Sequence, residues 1–405
     1  MINSPSPVME TYNRLPISFT HGEGVWLWNR DGERFLDAVS GIAVCGLGHA
    51  HPAVTRAICD QASRLLHTSN LYRIDAQQTL AEELCRLSGM ENVFFANSGA
   101  EANEAAIKIA RRYGNLLGIK SPAIVVMENS FHGRTLATLA ATGSRKAQAG
   151  FEPLVQGFVR SPYGDVEALL KAAESRSDIV AVLVEPIQGE AGVIIPKPGY
   201  LSALREICDR FGWLLMLDEV QTGIGRTGHM FAFEAEAVTP DVVTLAKALG
   251  NGVPIGACLA RGQAAHALGL GSHGSTFGGN PLACTAAATV LSTIVDQNLL
   301  EHVVSVGTHL ATELKKVCAD FAGFHELRSR GLMLGLEFAH DCSELPRIAL
   351  KHGLLINVTS TRVIRLLPPL ILTEEEADLL VQKLHKSIRI LHDTRVKSSE
   401  ASQKP

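Results

Sequence analysis

Six short apolar runs recur through the middle of the chain: Val93-Phe94-Phe95, Ala123 to Met127, Ile179 to Val184, Leu214 to Leu217, Val242 to Ala246 and Ile255 to Ala260. None alternates apolar with polar residues, as a strand with one wet face would. Strands buried on both faces read this way, and helix-like segments lie among the runs. The pattern predicts an α/β fold: a mostly parallel sheet wrapped by helices, forming a large domain over residues 71–300.

The flanks have a different texture. Residues 1–70 read as an arm and part of a smaller domain, with Val25-Trp26-Leu27-Trp28, a turn at Asn29-Arg30-Asp31-Gly32, then Arg34-Phe35-Leu36-Asp37. Residues 301–395 read as a small α+β domain. Short strands are expected at Phe324 to Arg328, Gly331 to Phe338 and Val363 to Leu367. A last helix opens at the capping box Thr373-Glu374-Glu375-Glu376 and carries Leu380, Leu384, Ile388 and Leu391 on one face. The polar tail, residues 396–405, is expected to be disordered.

Charge and hydropathy narrow the partners. With 37 Lys and Arg against 41 Asp and Glu, the net charge is -4, and no basic run appears, which argues against a nucleic-acid partner. No apolar stretch reaches membrane-spanning length, and Met1 to Pro7 has no signal-peptide pattern, so a soluble cytoplasmic protein without a membrane partner is expected. The eight cysteines include no CxxC pair and are expected to stay reduced.

Two of the central runs end in reactive groups. Leu214 to Leu217 leads into Asp218-Glu219-Val220-Gln221, and Val242 to Ala246 leads into Lys247. Ligands of α/β sheets sit outside the carboxyl ends of the strands, so this acid and this amine face one crevice. An ion pair at the sheet rim is one reading. The other is pyridoxal phosphate, for which a lysine forms the Schiff base and an acid keeps the ring nitrogen protonated.

Other strings fall on the same rim. Asn97-Ser98-Gly99-Ala100-Glu101-Ala102-Asn103-Glu104 leads from a strand into a helix, whose free N–H groups suit a phosphate, although Ser98-x-x-Glu101 is also a plain capping box. In Phe131-His132-Gly133-Arg134-Thr135, Phe131 could stack on a planar group and Arg134 could grip a carboxylate; core packing and a surface charge are the ordinary alternatives. Glu185 and Glu190 follow another strand, and Ser275-Thr276 lie in a glycine-rich loop. His49-Ala50-His51 could suggest a metal, but without a third ligand nearby it reads as loop packing, and no metal is expected. Gly223-Ile224-Gly225-Arg226-Thr227-Gly228 matches a dinucleotide fingerprint as a bare string. It does not close the turn directly after a first strand, and it is read as a turn.

Taken together, these strings stand in the order of the class III, fold-type I pyridoxal phosphate aminotransferases, and the chain resembles that family from Tyr12 to Leu391. The resemblance implies a large cofactor-binding domain plus a small domain built from both ends of the chain. It implies Lys247 as the Schiff-base lysine, Asp218 on the ring nitrogen and Gln221 near the ring hydroxyl, with Glu219 and Val220 in the same cofactor string. Ser98, Gly99 and Ala100 would hold the phosphate, Phe131 would stack on the ring, and Thr276 would reach the phosphate of a partner subunit, which makes a homodimer with shared active sites. Arg134 and Ser275 would bind substrate.

Within the family, Gly41-Ile42-Ala43-Val44 and the Phe131 to Arg134 string look most like the branch acting on N2-acetylornithine, with 2-oxoglutarate and glutamate as the second substrate pair. The family match puts Arg365 against the carboxylate on glutamate's reacting carbon, and Glu190 over Arg365 while the other substrate reacts. Ile42 stands where ornithine-specific members look to have a tyrosine, which fits an acylated α-nitrogen. Succinylornithine, succinyldiaminopimelate, ornithine and 4-aminobutyrate aminotransferases are the neighbouring activities. An aminomutase or decarboxylase would keep Asp218 and Lys247 without needing both arginines, and a non-catalytic cofactor-binding protein lies further off.

Overall fold

The computed structural model describes residues 7–402, with side chains described for 7–395. Its first three strands, β1 (Phe19–Glu23), β2 (Trp26–Asn29) and β3 (Arg34–Asp37), form an antiparallel meander. The large sheet follows with β4 (Asn92–Ala96), β5 (Ala123–Met127), β6 (Phe158–Ser161), β7 (Ile179–Val184), β8 (Leu214–Asp218), β9 (Val242–Leu245) and β10 (Gly256–Ala260), in the order β4-β10-β9-β8-β7-β5-β6. Only β10 runs against its neighbours, so the mostly parallel sheet carries one reversed strand.

The continuous apolar runs are explained by packing on both faces. Along β8, Leu215 and Leu217 join the core that includes Val290, Leu291 and Ile294 of the Pro281–Asp296 helix. Leu214 and Met216 join a second core with Ala106, Ile109 and Ala110 of the Gly99–Leu116 helix. Each such buried aliphatic side chain is worth about 1.5–3 kcal/mol of transfer free energy. The two-residue period then assigns the strand's last polar residues: Asp218 falls on the Gly99–Leu116 side, and Glu219 on the other.

The remaining strands are β11 (Phe324–Arg330), β12 (Met333–Phe338), β13 (Leu354–Leu355), β14 (Asn357–Thr359) and β15 (Val363–Leu366). Four of them make a sheet in the order β11-β12-β15-β14, while β13 pairs parallel with β3 and so ties the two chain ends together. Arg226, in the glycine-rich string read as a turn, braces the two parts. Its buried Nη1 donates to the carbonyls of Leu332 (3.0 Å) and Pro368 (2.5 Å). The last helix runs Glu374–Ser402, so residues 396–402 continue it where a disordered tail is expected from composition; residues 403–405 of that expected tail lie outside the described residues. The Thr373 capping box forms, with Thr373 N donating to Glu376 Oε2 and Glu376 N to Thr373 Oγ1.

Candidate active site

Because β4, β5, β7, β8 and β9 point the same way, their carboxyl ends share one rim. A cavity of about 430 Å³ opens there. Its wall includes ten of the expected residues: Ser98, Gly99, Ala100, Phe131, Arg134, Glu190, Asp218, Val220, Gln221 and Lys247.

Ser98 is the N-cap of the Gly99–Leu116 helix, its Oγ accepting from Glu101 N at 3.2 Å. The capping box therefore forms at the same helix head whose N–H groups are expected to suit a phosphate. The first intrahelical-type bond is Ala102 N to Ser98 O, which leaves the Gly99 and Ala100 N–H groups at the head of the helix, where its dipole is positive. Two glycines let the backbone close in. A Cβ on Gly256, the first residue of β10, would stand 2.2 Å from Ser98 O, and one on Gly99 would stand 2.7 Å from Val220 Cγ1.

Asp218 is buried and fully oriented. Its Oδ2 accepts from Asn103 Nδ2 and His132 Nδ1, both at 2.8 Å, and its Oδ1 accepts from Val220 N at 3.0 Å. Asn103 is itself fixed by Thr244 Oγ1, which donates to its Oδ1 at 2.7 Å. His132 and Asn103 lay inside the quoted strings but carried no role on sequence grounds. The available signal was a polar Asn103 among Ala102, Ala105 and Ala106 on the buried face of one helix.

Lys247 follows β9 in a left-handed backbone conformation, φ 48°. Loss of hydration lowers its pKa to about 8; Glu190 opposes the shift, the Arg365 cation adds to it, and Asp218 and Glu185 oppose it. Glu185, a further buried acid on the cavity wall, is pushed up to about 7 by burial, against the pull of His132 and of the N–H groups of Phe131 and Gly189.

Five expected residues stand off the wall. Glu219 faces the opposite side of the sheet, as the strand period requires: it accepts from Thr222 Oγ1 and Phe233 N, and burial raises its pKa to about 7. Its carboxylate does not face the cavity. Ser275 accepts from Asn97 Nδ2 at 3.1 Å beside the cavity, while Thr276 is exposed. Ile42 is 38% exposed. Arg365, on β15, is fully buried just behind Glu190 and Gln221. Its Nη1 meets Glu190 Oε1 at 2.6 Å, Gly189 O at 3.0 Å and Gln221 Oε1 at 3.2 Å, and Asn357 Oδ1 accepts from Nε and Nη2. Burial would raise the Glu190 pKa, but Arg365 and Lys247 outweigh it and hold it below the usual carboxylate range. Arg134, by contrast, is exposed, with its guanidinium 5.5 Å from the centre of the Phe131 ring.

The family pattern for class-III aminotransferases matches residues 8–388. The chain belongs to that family. This aminotransferase is 55% identical to the acetylornithine aminotransferase of Nitrosomonas europaea, over 97% of this chain and all of that one. Among solved structures it resembles the ornithine aminotransferase of Toxoplasma gondii, with TM-score 0.92 and 34% identity over 96% of this chain and 94% of that one. It also resembles the acetylornithine aminotransferase of Elizabethkingia anophelis, with TM-score 0.85 and 35% identity over 94% and 95%.

Proposed function

We propose that this aminotransferase is a cytoplasmic, homodimeric N2-acetylornithine:2-oxoglutarate 5-aminotransferase of arginine metabolism, working in ping-pong fashion with pyridoxal 5'-phosphate. One observation carries the reading. A single cavity joins a lysine, an oriented aspartate, a helix N-terminus and the open Arg134 to Glu190, the carboxylate that covers a second arginine, Arg365, buried just behind the wall. The 55% identity to an acetylornithine aminotransferase favours the acylated substrate over free ornithine, since the fold resembles both kinds.

The residues fit the cofactor. Asp218 accepts three protein donors, and a carboxylate offers about four lone-pair sites, so one remains for a ring N–H. The Gly99 and Ala100 N–H groups suit the phosphate, and Phe131 supplies a flat wall. When bound, the group supplies a carbonyl for amines to condense with and a ring that accepts the electron pair left by a departing proton.

The chain's own residues do the rest. Asn103 and His132 donate to Asp218 and hold its buried carboxylate where the ring nitrogen would meet it. With a pKa of about 8, the Lys247 amine is neutral in a useful fraction at neutral pH and can take and return the substrate proton. Arg134 is free to hold the distal carboxylate of either substrate. Glutamate brings a second carboxylate on its reacting carbon, for which Glu190 swings off Arg365; acetylornithine brings none there, and Glu190 stays. Gln221, Gly189 and Asn357 keep Arg365 in place in both states.

The homodimer is supported by an apolar surface of two neighbouring loops. Leu71 and Phe277 are 86% and 61% exposed, and Asn70 Nδ2 donates to the carbonyls of Ser275 and Gly278, joining the loops. Exposed side chains of this size in one patch mark an interface. Thr276, exposed and next to Phe277 in the chain, is suited to a partner's cofactor phosphate. The substrate assignment is tested by initial rates with 2-oxoglutarate and N-acetylornithine, N-succinylornithine, ornithine or 4-aminobutyrate. The highest kcat/KM is expected for N-acetylornithine; a preference for free ornithine would overturn the assignment.

A further inference from the structure

The His49-Ala50-His51 string is not absorbed by the site described above. Among the described residues no group of three or more His, Cys, Asp or Glu is placed to hold a metal. His49 instead donates from Nε2 to Asp37 Oδ2 at 2.8 Å, with little exposure at either side chain. Asp37 is the last residue of β3. Its other oxygen, Oδ1, accepts from Val39 N and Ser40 N, both at 2.9 Å.

Those two N–H groups open an unusual turn. Ser40, Gly41, Ile42 and Ala43 have φ of 44°, 66°, 64° and 62°, four consecutive residues in the left-handed region. L-residues enter that region singly, because Cβ crowds the following carbonyl, and three of these four are not glycine. Such a turn persists only where surrounding contacts over-determine it, and strained backbone concentrates at functional sites. Here the contacts come from both sides. On one side stands the Asp37–His49 pair. On the other, Ser40 Oγ donates to Leu367 O at 2.5 Å and Leu367 N to Ala38 O at 2.8 Å, two residues beyond Arg365.

The loop that carries His49 also reaches Lys247. Leu47 N donates to Asn251 Oδ1 at 2.8 Å, and Asn251 Nδ2 to Gly48 O at 3.1 Å. Asn251 closes the short helix that begins at Lys247. His49 is held charged: burial would lower its pKa, but Asp37 and Cys45 outweigh it and raise it to about 9, so its bond to Asp37 is charge-assisted at neutral pH. The turn itself delivers Val44 to the cavity wall, two residues after the partly exposed Ile42.

We propose that Asp37 and His49 form a strut that holds the left-handed Ser40–Ala43 turn against the site, and that His49 is thereby a positioning residue for the amine substrate. It touches neither cofactor nor substrate. It fixes the turn that ends in Val44 on the cavity wall and carries Ile42, which the functional reading sets toward the substrate's α-nitrogen end, whereas Arg365 is fixed by Glu190, Gln221 and Asn357 without it. This inference rests on the functional reading above for the identity of the amine.

The test measures the two half-reactions separately on holoenzyme. His49→Ala is expected to raise the KM for N-acetylornithine about tenfold or more, from loss of a charged hydrogen bond. The KM for 2-oxoglutarate and the affinity of apoprotein for pyridoxal phosphate are expected to change less than about twofold, within the spread of distant sites. His49→Gln, which keeps a donor toward Asp37, is expected to recover most of the loss. Ser40→Ala, which unfastens the turn from Leu367, is expected to give the same split should His49→Ala fold poorly. Equal slowing of both half-reactions, or no change in the amine KM, would overturn the strut. Were the wild-type protein to prefer ornithine, the functional reading would fall, and the same comparison made on ornithine would still decide the strut.

Discussion

At the scale of single residues, the site depends on charges whose burial makes them conditional. Arg365 is buried beside a partly exposed Glu190, and removing one member of such a pair ordinarily leaves a costly lone charge. Three neutral acceptors remain around Arg365, so Glu190→Ala is expected to fold. The variant is expected to shift the ratio of half-reaction rates about tenfold toward glutamate, a change worth about 1.4 kcal/mol. Equal slowing of both half-reactions would contradict the switch. Lys247 supplies a second prediction. Because its pKa is lowered to about 8, the rate at which apoprotein takes up pyridoxal phosphate should climb about tenfold per pH unit below 8 and level off above it. The same shift carries a stability sign. The unfolded chain binds this proton more tightly, so the cost of burying Lys247 is present below pH 8 and is relieved as pH rises toward the unfolded value. Asp218 and Lys247 could be picked out in the sequence because each ends an apolar run. His132 could not, since its partner Asp218 lies 86 residues away in the chain, and Asn103 showed only as a polar residue on an apolar helix face, its partner 115 residues away.

At the scale of elements, β10 and the head of the Gly99–Leu116 helix, the proposed phosphate site, approach with no side chain between them. Gly256→Ala would drive a Cβ into the Ser98 carbonyl, a backbone atom that cannot yield, whereas Gly99→Ala meets the movable end of Val220. The first is expected to weaken pyridoxal phosphate binding more than the second, with an overpacking cost of about 1–3 kcal/mol. Titration of the two apoproteins by absorbance checks this; the reverse order would contradict the close approach. Continuous apolar runs made β5, β7, β8, β9 and β10 readable. The edge strand β6, only partly buried, and β13, two residues long, gave no such pattern. Nor does an apolar run reveal direction, which is why the reversed β10 emerged only with the sheet.

At the scale of the whole molecule, both chain ends build the small domain. The texture change near residue 300 announced a second unit, but the pairing of β13 with β3 joins residues more than 300 apart, and no local pattern encodes it. The exposed Leu71 and Phe277 argue for a second copy of the chain. Phe277→Glu is expected to shift sedimentation toward monomer and to weaken cofactor binding at least about tenfold, because Thr276 is then withdrawn from the partner's site; this corresponds to about 1.4 kcal/mol. A monomer that kept its cofactor affinity would contradict shared sites.

Amino transfer through Lys247 would make the cofactor's absorbance follow the substrates. It is tested most directly by mixing purified, cofactor-loaded protein with N-acetylornithine, without keto acid, and following the visible absorbance. The band is expected to disappear and to return on adding 2-oxoglutarate, and Lys247→Ala to slow both changes by about 100-fold or more, the contribution of a lost proton-transfer group. A spectrum that N-acetylornithine leaves unchanged in the wild-type protein, or that cycles equally fast without Lys247, would contradict it.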